Sequence, residues 1–121
     1  MNLSLETIED VLLVRMRGEL DLETAAKFRV LVEEALDHRP GLKHLILDVS
    51  GLSFIDSSGL GAILGRYRQF AERGGRVFVV GVQPGVGRLL ELSGLFRVVE
   101  VAATAEEALA RVQGEVGSVD G

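Results

Sequence analysis

Apolar and polar positions alternate from the start of the chain. Leu3, Leu5 and Thr7 lead into a polar Ile8-Glu9-Asp10 turn, and Leu12, Val14 and Met16 then interleave with Arg15 and Arg17. A period of two predicts a half-exposed strand pair, which Gly18 breaks. From Asp21, a residue suited to cap a helix, the spacing changes. Leu22, Ala25, Phe28, Leu31, Val32, Ala35 and Leu36 recur at helical intervals until Pro40-Gly41. His44 to Val49 then carries the unalternated run Leu45-Ile46-Leu47, broken by Asp48. Such a run fits a strand covered on both faces.

The second half repeats this alternation of strand and helix. Ser58 to about Glu72 reads as a helix with Leu60, Ile63, Leu64 and Tyr67 on its apolar stripe and Arg66, Arg68, Glu72 and Arg73 largely off it. Gly74-Gly75 ends that helix, and Val77-Phe78-Val79-Val80 is a second buried strand. Pro84 opens a third helix that runs to Ser93-Gly94. Val98 to Val101 forms a short last strand. Thr104 with Glu107 three residues on is a capping box that opens a final helix through Ala108, Leu109 and Val112. The order β-β-α-β-α-β-α-β-α predicts an α/β fold with four packed helices. Its mixed sheet is antiparallel in the first hairpin and mostly parallel, with right-handed crossovers, beyond it.

Composition keeps the picture to one domain, since 121 residues bury roughly two thirds of their unfolded surface. Residues 1–113 form the predicted domain, and 114–121 read as a loose tail. The net charge of −5 disfavours a nucleic-acid groove or an anionic membrane surface as partner. The chain has no cysteine, which excludes disulfides, thiolate metal sites and redox motifs. Met1-Asn2-Leu3-Ser4 carries neither a charged leader nor an apolar signal core, and no apolar run approaches the ~20 residues of a membrane span. The expected location is the cytoplasm.

In such sheets ligands and partners are met at the carboxyl ends of the strands. Asp56-Ser57-Ser58-Gly59-Leu60-Gly61 falls on that edge, between a strand and a helix start where unpaired N–H groups favour phosphate. A nucleophilic serine on a hydrolase elbow needs Gly-x-Ser-x-Gly, and no glycine stands two before either serine. The histidines, His38 at a helix end and His44 at a strand start, are badly placed to act as its base. Gly59, Gly61 and Gly65, or Gly81, Gly85 and Gly87, only approach a nucleotide cradle and lack the lysine and hydroxyl of a P-loop. Gly85-Val86-Gly87 reads as tight packing. His44 has no second ligand at a recognised spacing, so no metal site is predicted. The arginines 66, 68, 73 and 76 read as a solvated face.

Two readings of the serines remain open on pattern alone. One is an N-cap contributing about 1 kcal/mol. The other is a phosphorylation switch, because a phosphoserine adds roughly −1.5 to −2 charge where helix donors and dipole accept it. A like-charge pair about 4 Å apart costs roughly 1 kcal/mol in water and about 4 at an effective dielectric of 20.

Phe54-Ile55-Asp56-Ser57-Ser58-Gly59-Leu60-Gly61-Ala62-Ile63-Leu64-Gly65-Arg66-Tyr67 resembles the signature of the STAS family. Within it the segment is similar to the bacterial anti-sigma factor antagonists, most closely the sporulation branch that acts on an anti-sigma F factor. Gly18-Glu19-Leu20-Asp21 and Leu92-Ser93-Gly94-Leu95-Phe96 resemble further motifs of that family, so the likeness spans nearly the whole chain. The resemblance implies a non-enzymatic module that binds an anti-sigma factor when unphosphorylated and so releases a sigma factor. That partner is also a serine kinase, which uses its own ATP to inactivate the antagonist, and a serine phosphatase restores it. The module itself needs no cofactor.

Carried onto this chain, the resemblance makes Ser57 the phosphoacceptor, with Asp56, Ser58 and Gly59 as its support. Glu19 and Asp21 become partner contacts, and Arg66 is a candidate for the same face. Gly59 is expected to let the kinase approach. The alternatives are a STAS domain that senses a nucleotide or serves as a signalling scaffold, and a stress-response rather than a sporulation antagonist.

Overall fold

The computed structural model describes the backbone of residues 2–119 and the side chains of residues 2–114. Five strands and four helices follow the predicted order: β1 (Asn2–Ile8), β2 (Val11–Leu20), α1 (Leu22–His38), β3 (His44–Ile55), α2 (Ser57–Glu72), β4 (Val77–Val80), α3 (Pro84–Leu92), β5 (Glu100–Ala102) and α4 (Ala105–Val119). A short 3-10 turn, Leu95–Arg97, precedes β5. The sheet order is β1-β2-β3-β4-β5. Only β1 and β2 pair antiparallel, with the later strands parallel to their neighbours.

Burial on both faces explains the unalternated strands. Leu12, Val14, Leu45, Leu47, Val77 and Val79 pack with Phe28, Val32, Ile63, Phe70, Val86 and Leu90 of α1, α2 and α3. Val11, Leu13, Ile46, Phe78 and Val80 pack with Ala105, Ala108 and Val112 of α4. No buried polar or charged residue is present among the described residues. No helix among them is long and apolar enough to cross a membrane.

Several boundaries differ from the sequence expectation. Gly18, at φ +104°, does not end β2. It forms part of an irregular stretch with register shifts, after which the strand continues to Leu20. β3 likewise runs beyond Val49, because its extension pairs with β2 up to Leu20↔Ile55. The last strand begins at Glu100, since Leu95–Arg97 coils first. At α4 the Thr104 hydroxyl accepts the Glu107 N–H at 3.1 Å, but the Glu107 carboxylate accepts from Ala103 rather than from the cap. The helix backbone continues to Val119 and takes in residues 114–119 of the expected tail, of which 120 and 121 lie outside the described residues.

Candidate functional site

β2 and β3 end side by side at Leu20 and Ile55, and each is followed by an aspartate that opens a helix. Asp21 has φ −111° and ψ −168°, and Asp56 has φ −110° and ψ −173°, so both are extended. The carboxylate of Asp21 accepts the Thr24 N–H at 3.1 Å, and that of Asp56 accepts the Gly59 N–H at 3.0 Å. Each satisfies one of the orphan donors of its helix. The N-cap of α2 is therefore Asp56, not a serine. Ser57 is its first helical residue and Ser58 its second.

This division leaves the hydroxyls free. Ser57 is exposed and Ser58 half-buried. Neither has a hydrogen-bond partner among the described residues. The helix start is thus already capped by a carboxylate, and Ser57 lies in the first turn, where the helix dipole favours an added negative charge.

A second layer joins the two helix starts. The Asp56 N–H donates to the Leu20 carbonyl at 3.3 Å. Thr24 Oγ1 accepts from the Asp21 N–H and donates to the Glu19 carbonyl, both at 2.8 Å. These bonds tie the end of β2 and Asp21 to α1, with Glu19 exposed and Asp21 half-buried. Hydrogen bonds from the Thr24 backbone and hydroxyl hold the Asp21 carboxyl below its usual value, with burial opposing. The sequence reading missed Leu20 and Thr24. For Thr24 the signal was its position three residues after a capping aspartate.

Gly59 plays a different part from the expected one. It is buried, and a Cβ there would lie 2.4 Å from the Leu20 carbonyl oxygen, 2.8 Å from Ile55 Cγ1 and 2.9 Å from Leu20 Cγ. Its smallness lets α2 start close against the end of β2, so the glycine serves the chain's own packing rather than an approaching kinase. The other near-cradle glycines divide. Gly87 is packed against Val82 and Gly81 against Ser50 and Asp48, whereas Gly61, Gly65 and Gly85 face open space. Gly85 is therefore not the packing residue the sequence suggested.

Arg66 is not brought to the Ser57 face. It lies nine residues on, about half a revolution round α2 at 3.6 residues per turn. The register is that of the buried residues Gly59, Ala62, Ile63 and Phe70, and the side chain is half-buried. This stripe is rotated from the one the sequence predicted, because Gly59 and Ala62 allow the close approach. Burial pushes the Arg66 guanidinium down from its usual pKa, partly offset by Glu33, with Arg29 adding to the lowering. Its Nε and Nη1 are buried with no hydrogen-bond partner among the described residues.

The two histidines lie away from Ser57. His38 ends α1, where its Nδ1 lies 2.9 Å from the Glu34 carbonyl. His44 begins β3, at the opposite end of the strand from Ser57, and its Nδ1 accepts the Arg76 N–H at 2.8 Å. Among the described residues no group of three His, Cys, Asp or Glu side chains is placed to hold a metal.

A family model described as "STAS domain" matches residues 2–108. An anti-sigma F factor antagonist of Paenibacillus polymyxa is 39% identical over 113 residues, covering 93% of this chain and 96% of the relative. An anti-sigma-B factor antagonist of Staphylococcus epidermidis is 31% identical over 99 residues, covering 78% and 88%. The structure of the anti-sigma factor antagonist SpoIIAA in its unphosphorylated form is similar with a TM-score of 0.82 at 32% identity, covering 93% of this chain and 97% of that one. The phosphorylated form of the Bacillus cell fate determinant SpoIIAA is similar with a TM-score of 0.74 at 31% identity, covering 92% and 99%.

Proposed function

This chain belongs to the STAS domain family, and from that membership we propose that it is an anti-sigma factor antagonist switched off by phosphorylation of Ser57. The observation that carries the reading is Ser57 itself. It is exposed, first in its helix, and spared from capping by Asp56. The similarity to antagonists of anti-sigma F and anti-sigma-B factors, and to one solved with and without phosphate, supports it. The higher identity to the anti-sigma F relative favours a sporulation circuit over a stress circuit.

In this reading the unphosphorylated chain seats its acidic edge, Glu19 and Asp21, on cations of the anti-sigma factor, and a sigma factor is released. The anti-sigma factor doubles as a serine kinase. It brings the γ-phosphorus of its ATP in line with Ser57 Oγ, the O–P bond forms, ADP leaves and the hydroxyl proton passes to solvent or a kinase base. The new dianion then stands beside Asp56 and Asp21 and faces the nucleotide phosphates left on the kinase, so like charges oppose rebinding. A serine phosphatase reverses the step. Asp56 holds the first turn of α2 in place through the Gly59 N–H, Ser58 follows the acceptor in that turn, and ATP belongs to the partner.

The test is to incubate the protein with its cognate anti-sigma factor and ATP and locate phosphate by mass spectrometry. Phosphate on Ser57, with loss of binding afterwards, is the expected result. Modification at another residue, or none, overturns the assignment.

A further inference from the structure

The α2 face that carries Ser57 does not end at the serine. Leu60, Gly61 and Leu64 follow at three, four and seven residues, the spacing that keeps side chains on one side of a helix. They form one wall of an apolar groove of about 170 Å³. The opposite wall is the Ser93-Gly94 turn with Leu95 and Val98. That turn is well ordered by its own bonds. Gly94 is left-handed at φ +81°, Ser93 Oγ donates to the Leu90 carbonyl at 2.7 Å, and the Leu95 N–H donates to the same hydroxyl at 3.3 Å.

Two features mark the groove as built for something outside the chain. The first is Gly61, in the interior of α2, where glycine is the poorest helix former after proline. A Cβ there would meet nothing within 4 Å, so no internal contact requires it, in contrast to Gly59. The second is the exposed apolar surface of the adjoining segment, with Leu92 77% and Val98 44% accessible and neither covered by the fold. Apolar cavities of roughly 150 Å³ hold a benzene-sized ring, so the volume suits one aromatic or branched aliphatic side chain.

We propose that this groove between α2 and the Ser93–Val98 segment is the apolar half of the docking surface. It receives a hydrophobic side chain of the anti-sigma factor while Ser57 and the acidic edge engage that partner's polar half. The proposal rests on the antagonist reading. The continuity of the two halves along one helix face identifies the occupant, since a partner seated at Ser57 extends along the same wall. It also gives the Leu92-Ser93-Gly94-Leu95-Phe96 motif a function beside the phosphosite, although it lies far from it in sequence.

Binding to the cognate anti-sigma factor is measured calorimetrically for wild type, Gly61→Leu and Val98→Asp, each with its thermal melt. Gly61→Leu fills the groove from its α2 wall, and Val98→Asp places charge on the opposite wall at a residue that is 44% accessible. Both are expected to melt no more than a few degrees below wild type and to bind at least tenfold more weakly. If wild type binds and both variants bind within twofold of it, groove docking is overturned while the antagonist reading stands. If wild type does not bind, both fall. Val98→Asp alone decides the matter should Gly61→Leu not fold, because Val98 lines the groove and is partly on the surface.

Discussion

The Leu20 carbonyl oxygen and the Cα of Gly59 approach so closely that a β-carbon on the glycine would lie 2.4 Å from that oxygen. This one contact holds the start of α2, and with it Ser57, against the end of β2, where Asp21 begins α1. Gly59→Ala is expected to destabilise the fold by about 2 kcal/mol, as backbone-limited overpacking does, in spite of the better helix propensity of alanine. A urea unfolding midpoint equal to wild type would contradict the strain.

Removing the α2 cap separates its structural role from its charge. Asp56→Ala is expected to cost about 1 kcal/mol in chemical denaturation, whereas Asp56→Asn, an equally good cap, leaves stability close to wild type. Equal losses in both variants would mean that the Gly59 N–H does not depend on this side chain.

Ser57→Ala and Ser57→Asp both alter an exposed side chain without a hydrogen bond among the described residues, and each is expected to fold within about 0.5 kcal/mol of wild type. Ser57→Ala keeps partner binding and takes up no phosphate with ATP. Ser57→Asp loses at least about tenfold in affinity, the equivalent of ~1.4 kcal/mol. Phosphate uptake by Ser57→Ala at the wild-type rate would move the acceptor elsewhere.

Arg66 has two guanidinium nitrogens buried without partners among the described residues. Replacing it by a hydrocarbon of similar length removes that desolvation cost and keeps the packing of the stem, so Arg66→Met should be neutral or more stable by up to about 1 kcal/mol. Its affinity for the anti-sigma factor should equal that of wild type. A tenfold loss would return Arg66 to the docking surface.

The Arg76 guanidinium donates to Glu100 at 2.7 Å and 2.5 Å, and this hydrogen bonding, against some burial, holds the carboxyl below its usual value of 4.5. A depressed carboxylate stabilises the fold above its unfolded pKa and loses that contribution as pH falls through the folded value. The pair is more than a third exposed on the Glu100 side, so it is worth about 1 kcal/mol or less. Glu100→Gln should melt below wild type at pH 7 and converge with it as pH drops below 4.5. A constant difference across that range would show that the charge is not responsible.

Much of the fold was legible because its signals are local. The unbroken runs Leu45-Ile46-Leu47 and Val77-Phe78-Val79-Val80 marked strands buried on both faces, and the helical spacing from Leu22 to Leu36 marked α1. Asp21 was read correctly as a cap. Asp56 was not, because aspartate and serine are equivalent by propensity at a helix start, and only the backbone conformation selects the residue whose side chain reaches the N3 amide. Gly18 read as a strand breaker because the pairing partner that carries β2 past it is more than thirty residues away.

The sequence by itself determined the order of strands and helices, the parallel sheet that order requires, and a serine-rich motif at a strand-to-helix junction. Propensity and periodicity act over a few residues, and those features need no more. Tertiary structure alone decided that Asp56 leaves the Ser57 hydroxyl free, that the Asp21 and Asp56 helix starts follow adjoining strand ends, that Arg66 turns inward, and that an apolar groove lies between α2 and Val98. Each of these depends on the Leu20↔Ile55 register and on how α2 packs against β2 and the turn before β5. Such contacts join residues far apart in the chain, and no local pattern encodes their distance.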